Sequence, residues 1–78
     1  MWSIENNQLH KTFQFANFSK AFAFMTQVAL LAESLNHHPT WTNTYNKVDI
    51  WLSTHDANNS ITALDHQLSE QIDALLSN

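Results

Sequence analysis

Three histidines lie where the chain changes direction: His37 and His38, at the end of a long apolar stretch and just ahead of Pro39, and His55, just past a β-rich stretch. Five histidines in 78 residues is a high count, and loops and element ends are where functional side chains concentrate. Imidazole titrates near pH 6.5, so two or three rings converging on one pocket suit general acid and base work. Glu33 stands four residues before His37, a helical spacing that lets a carboxylate orient or charge the ring. His10 and His66 have no comparable context and read as surface residues.

Each of these residues also has a purely structural reading. A histidine near a helix C-terminus favours the dipole and can bond the last carbonyls. Asp65, three residues after Thr62, fits a capping box with Asp in place of Glu, and Asp56 can begin a turn by bonding its own backbone. Trp41, Tyr45 and Trp51 serve packing or an interface, or an aromatic wall that stacks a flat heterocycle. Three imidazoles with a water could hold a catalytic zinc. The familiar i,i+4 histidine pair is missing, however, and adjacent histidines on a helix point about 100° apart, so no metal site is expected.

These residues must be positioned by the elements between them. Trp2 to Glu5 alternates weakly and runs into Asn6-Asn7, a pair that tolerates the positive φ of a hairpin turn. Leu9, Lys11, Phe13 and Phe15 then share one face of an extended run. Asn17 or Ser19 can cap a helix that runs to about Asn36. Its apolar stripe (Phe18, Ala21, Phe22, Phe24, Met25, Val28, Ala29, Leu31, Ala32, Leu35) covers roughly half the circumference, which suits either packing on a sheet and on another subunit or a well-buried central helix. Pro39 stops it. From Thr40 to Thr54 the composition turns to Thr, Trp, Tyr, Val and Ile, with Asn46-Lys47 as the turn of a second hairpin. After a polar loop over 56–60, Ile61, Leu64, Leu68, Ile72 and Leu75 recur at helical spacing. The order ββαββα predicts an α+β fold: a four-stranded antiparallel sheet with both helices on one face, residues 1–78 forming a single domain.

Composition narrows the function classes. With 44% hydrophobic residues, 78 positions support one small core, and a chain of this size buries only about 60% of its surface, so partner subunits commonly add stability. No cysteine is present, which excludes disulfides and thiolate metal sites and fits a reducing compartment. Seven acidic residues against three lysines give a formal charge of −4, so the basic footprint of nucleic-acid or anionic-membrane binding is absent. Neither a signal peptide nor a membrane span is expected.

Phe13-Gln14-Phe15, Phe18, Ala21-Phe22-Ala23-Phe24-Met25, Val28-Ala29, Ala32-Glu33, Asn36-His37-His38-Pro39-Thr40-Trp41, Tyr45-Asn46-Lys47-Val48, Ile50, Leu52, Thr54-His55-Asp56, Ile61-Thr62 and Asp65 closely resemble the pterin-4a-carbinolamine dehydratases. The likeness runs through nearly the whole chain, and His-His-Pro together with Thr-His-Asp after a Tyr-Asn-x-Val strand is its specific part. It implies dehydration of a 4a-hydroxy-tetrahydropterin, the product of aromatic amino-acid hydroxylases, to quinonoid dihydropterin, with the pterin as substrate and no metal or cofactor. By the same resemblance His37, His38 and His55 line the pterin pocket. His37 and His55 would exchange protons with the departing hydroxyl, and His38 would bind the substrate and help take the nitrogen proton. Glu33, Pro39, Trp41, Asp56 and Asp65 are the expected substrate-binding surround, with Glu33 holding or polarising His37. A homodimer or homotetramer in the cytoplasm is implied. The alternative is a non-catalytic pterin-binding or scaffold protein, since some relatives are dimerisation cofactors for transcription factors.

Three departures from the family pattern carry expectations of their own. The family's usual N-terminal helix is expected to be lacking, the loop after His55 reads Ala57-Asn58-Asn59-Ser60 where glycine is usual in the family, and Asp49 and Trp51 match the strand that helps assemble subunits in the family.

Overall fold

Asparagine takes the place of glycine in this chain. Among the described residues six with side chains hold positive φ, and five of them are asparagines: Asn6, Asn7, Asn36, Asn58 and Asn59, with Tyr45 the sixth. Asparagine visits the left-handed region more readily than other substituted residues because its short side chain can bond locally. These positions are the corners at which a glycine-free sequence reverses direction.

The computed structural model describes residues 1–77. Between the corners run β1 (Ser3–Glu5), β2 (Gln8–Gln14), α1 (Phe18–Leu35), β3 (Thr40–Thr44), β4 (Lys47–Leu52), a 3-10 turn (His55–Ala57) and α2 (Ala63–Ala74). The strands form one antiparallel sheet in the order β1-β2-β4-β3. Leu9 stands opposite Leu52 and Phe13 opposite Val48. Directly paired residues share a face, so the odd positions of β2 and the even positions of β4 point the same way.

That face meets both helices. Leu9, Phe13, Val48, Ile50 and Leu52 form one buried cluster with Ala21, Phe24 and Val28 of α1 and Leu68 and Ile72 of α2. Truncating a fully buried side chain such as Ile50 to Ala costs about 2–5 kcal/mol. Asn17 caps α1, its Oδ1 accepting from the Lys20 N–H at 2.9 Å. α2 is tied to the sheet at its far end, where the Asp73 carboxylate accepts from Trp2 Nε1 at 3.1 Å and Lys11 Nζ at 2.9 Å.

One local expectation is corrected. The second hairpin turns at Tyr45-Asn46 rather than Asn46-Lys47. Tyr45 takes the left-handed conformation (φ 51°) while Lys47 already pairs with Thr44 and Gln14, and the Asn43 amide bonds the carbonyls of Tyr45 and Lys47 across the turn. On α1 the chain buries Ala21, Phe24, Val28 and Ala32 and half-buries Met25, Leu31 and Leu35, leaving the rest of the apolar stripe open. Phe18 and Phe22 remain about half exposed and pack on each other at 5.6 Å between ring centroids. Their helix has a partner on one side only within this chain.

Candidate active site

The end of α1 is built so that His37 is immobilised twice. Asn36 takes the left-handed conformation, its N–H returns to Glu33 O, and the His37 N–H returns to Ala32 O at 3.0 Å. These two bonds make a Schellman motif, which reverses the chain and satisfies carbonyls the helix would leave orphaned. The reversal turns the His37 ring toward the start of α2, where Nε2 lies 2.6 Å from Asp65 Oδ1. His37 is 8% exposed and Asp65 fully buried.

Asp65 is the only acidic residue among the fully buried side chains, and it is saturated with donors. Its Oδ2 accepts from the Thr62 backbone N–H at 2.8 Å, as a capping box requires, and from the Thr54 hydroxyl at 2.8 Å. Burial alone would push this carboxyl up. The bonds from His37, the Thr62 N–H and Thr54 outweigh it and hold the group below its ordinary range. Asp65 is therefore an anion at neutral pH, and a buried anion demands the partners it has.

Thr54 also positions the other arm of the site. Its N–H bonds Ser60 O at 2.8 Å in an isolated β-bridge, and the Ala57 N–H bonds its carbonyl at 3.1 Å. The enclosed turn presents His55 and Asp56 outward, with side chains 93% and 99% exposed and 3.5 Å apart. Asn58 and Asn59 supply the positive φ that closes it. The glycine-free loop therefore turns.

His37, His38, His55 and Asp56 line one depression of about 280 Å³ together with Asn36, Ser53, Thr54 and Leu64. That volume is at the small end of ligand sites, which start from roughly 300 Å³. His37 stands against the buried anion, while His38 and His55 reach into water. One cleft thus holds an oriented imidazole and two solvated ones.

The other expected surround is only partly there. Glu33 does not hold His37; its Oε1 lies 2.9 Å from His38 Nε2, both side chains mostly exposed. The left-handed turn at Asn36 is the reason, since it breaks the helical i,i+4 geometry and hands the role at His37 to Asp65. Pro39 and Trp41 are half-buried and lie outside the lining, with Trp41 packed against the core from β3. His10 also departs from expectation, being half-buried on the open sheet face between Glu5 and Asp49. Thr54 and Thr62 were not singled out as site residues from sequence. The signal was available in Thr54 beside His55 and in Thr62 three residues before Asp65. Among the described residues no group of three or more His, Asp or Glu side chains is placed to hold a metal ion.

Comparisons with known proteins give the family and the fold. The family described as Pterin 4 alpha carbinolamine dehydratase matches residues 1–75. A relative from Synechococcus sp. (strain WH7803), provisionally named a pterin-4-alpha-carbinolamine dehydratase, is 54% identical over 74 residues, covering 95% of this chain and 78% of its own. One from Sinorhizobium fredii with the same provisional name is 60% identical over 63 residues, covering 81% of this chain and 59% of its own. The crystal structure of a transcriptional coactivator/pterin dehydratase from Brucella melitensis superposes with a TM-score of 0.88 at 43% identity, covering 94% of this chain and 79% of that one. A pterin dehydratase-like protein identified as a RuBisCO assembly factor shares the fold, with a TM-score of 0.77 at 22% identity over 96% of this chain and 86% of that one. Fold and family match together define a small α+β hydro-lyase. The chain belongs to the pterin-4a-carbinolamine dehydratase family.

Proposed function

We propose that this protein dehydrates a 4a-hydroxy-tetrahydropterin to quinonoid dihydropterin in tetrahydropterin recycling, with His37, His38 and His55 as its acid and base groups. The observation that carries the reading is the meeting of these three histidines in one depression, one of them held by a buried carboxylate. In the reaction the C4a–O bond breaks and the oxygen leaves as water. The adjacent ring nitrogen loses its proton, and its electron pair forms the C=N bond. No atom changes oxidation state overall, so the step balances with proton transfers alone and needs no cofactor.

His37 suits the proton exchange at the departing hydroxyl, because the buried Asp65 carboxylate fixes its ring while the ring lines the depression. His55, exposed across the depression, exchanges protons with the same oxygen or with water. His38, with Glu33 beside it, takes the nitrogen proton. Asp56 borders the substrate, and Asp65 acts through His37. A positioned acid or base contributes roughly 10²–10⁴-fold, ample for a carbinolamine that already loses water readily.

The half-exposed Phe18 and Phe22 and the exposed Leu30 on α1 support assembly as a homodimer or homotetramer, which light scattering at graded concentrations reads directly. No described helix is long and apolar enough to cross a membrane, and a cysteine-free chain suits a cytoplasmic location.

The test is stopped-flow ultraviolet absorbance of freshly generated 4a-hydroxy-tetrahydropterin. Wild type should accelerate the decay and a His37→Ala/His55→Ala variant should not. A folded wild type that leaves the decay unchanged overturns the enzyme reading and favours a scaffold role.

A further inference from the structure

We infer that the Thr54 hydroxyl is a positioning residue for His37: through Asp65 it holds the imidazole with its proton on Nε2, so that Nδ1 is the nitrogen that trades protons in the depression. The inference deepens the proposed dehydratase reading and rests on it for the catalytic consequence.

The hydrogen-bond distances favour one arrangement. Asp65 Oδ2 receives the Thr62 backbone N–H, which can only donate. The Thr54 hydroxyl lies 2.8 Å from the same oxygen and 2.5 Å from the Thr62 hydroxyl. The Thr62 hydroxyl lies 3.5 Å from Oδ2. A chain from the Thr62 O–H to Thr54 Oγ1, and from the Thr54 O–H to Asp65 Oδ2, uses each proton once. With two donors on Oδ2 and the carboxyl ionised, Oδ1 accepts as well, so the 2.6 Å contact to His37 is an Nε2–H donation.

The other ring nitrogen is then decided. Among the described residues Nδ1 of His37 has no hydrogen-bond partner, yet no buried polar side-chain atom is left unsatisfied. Nδ1 therefore reaches solvent, and His37 lines the depression. In the neutral ring it presents a lone pair there; in the imidazolium it presents a proton. Either way the exchange runs through Nδ1 while Nε2–H stays on Asp65.

Thr54 has a second link to the site. Its side chain holds the partner of His37, while its backbone, bridged to Ser60 and bonded by Ala57, anchors the turn that carries His55. One residue thus sets the relative placement of two histidines that approach from different elements.

The test begins with uniformly ¹⁵N-labelled protein and long-range ¹H–¹⁵N correlation spectra of the histidine rings across a pH titration, assigned with His37→Gln. The expected result is a pyrrole-type Nε2 for His37 at every pH, with Nδ1 alone moving from pyridine-type to protonated as pH falls. A neutral ring carrying its proton on Nδ1 overturns the inference whatever the activity. Thr54→Val should bring a mixture of tautomers and lower kcat about 10- to 100-fold, the range for outer hydrogen-bond partners of histidine ligands. KM should stay within about twofold. Thr54→Ser should restore both the spectrum and the rate. A Val variant that keeps the wild-type spectrum and kcat, or a Ser variant as impaired as Val, overturns the role of the hydroxyl. Should Val not fold, the wild-type and Ser spectra still decide. Should wild type prove inactive, the dehydratase reading fails while the tautomer result stands on its own.

Discussion

The molecule contains two His–Asp pairs of similar chemistry in opposite settings. In the depression, His37 Nε2 meets Asp65 Oδ1 at 2.6 Å; on the open sheet face, His10 Nε2 meets Asp49 Oδ1 at 3.1 Å. Each carboxylate is also held by a threonine hydroxyl, Thr54 on Asp65 and Thr12 on Asp49, and each is held below the ordinary carboxyl range. At Asp49 the bond from Thr12 is the leading cause; at Asp65 burial opposes and the hydrogen bonds must overcome it. His10 stacks on Trp51 at 4.8 Å, and Glu5 lies 3.7 Å from its Nδ1. Both of its nitrogens therefore have carboxylates beside them. His37 keeps one nitrogen open to a cleft. A His–Asp pair becomes a candidate proton relay when one side is buried and the other faces a cavity; on a flat strand surface it is a cross-strand contact.

The strongest way to break this contrast is to delete the imidazoles. His37→Ala should lower dehydration by roughly 10²–10⁴-fold in the stopped-flow assay, whereas His10→Ala should stay within about twofold of wild type. Comparable losses from the two would erase the distinction.

Next in size is stability. Asp65→Ala strips His37, Thr54 and the Thr62 N–H of their acceptor in a buried setting and should cost about 1–3 kcal/mol in urea unfolding. Asp49→Ala, partly exposed on the sheet, should cost less than about 1 kcal/mol. Equal midpoints would show that burial does not separate the pairs.

Acid sharpens the comparison further. A carboxyl whose folded pKa is depressed adds stability that is fully present above its unfolded value, near 3.8 for Asp65, and is lost as pH falls through the lower folded value. The difference in Tm between wild type and Asp65→Asn should therefore shrink as pH falls below about 4. A gap that keeps its full size well below the ordinary carboxyl range would contradict a depressed Asp65.

The smallest effect is expected at the third pair. Glu33→Gln removes the partner of His38 where both side chains are mostly exposed. Tm should not move measurably, since solvent screens such pairs.

Much of this was legible in the linear chain. The period-two run of β2, the helical spacing over Leu68 and Ile72 and the Thr62-x-x-Asp65 capping signature are local patterns, and the structure carries each of them, whereas α1 stops ahead of Pro39, at the left-handed Asn36. Local rules failed where a single left-handed residue redirected the chain. Tyr45 moved the hairpin turn by one position, and Asn36 moved the carboxylate at His37 from Glu33, four residues away, to Asp65, 28 residues away.

The sequence by itself determined the elements, their order and the identity of the three histidines, because periodicity, capping and motif are properties of neighbours along the chain. Only the tertiary structure decided which carboxylate serves which imidazole and which nitrogen of His37 faces the depression. Those choices depend on a helix end and a second helix start meeting in space, with desolvation at the meeting point requiring that every donor and acceptor be matched.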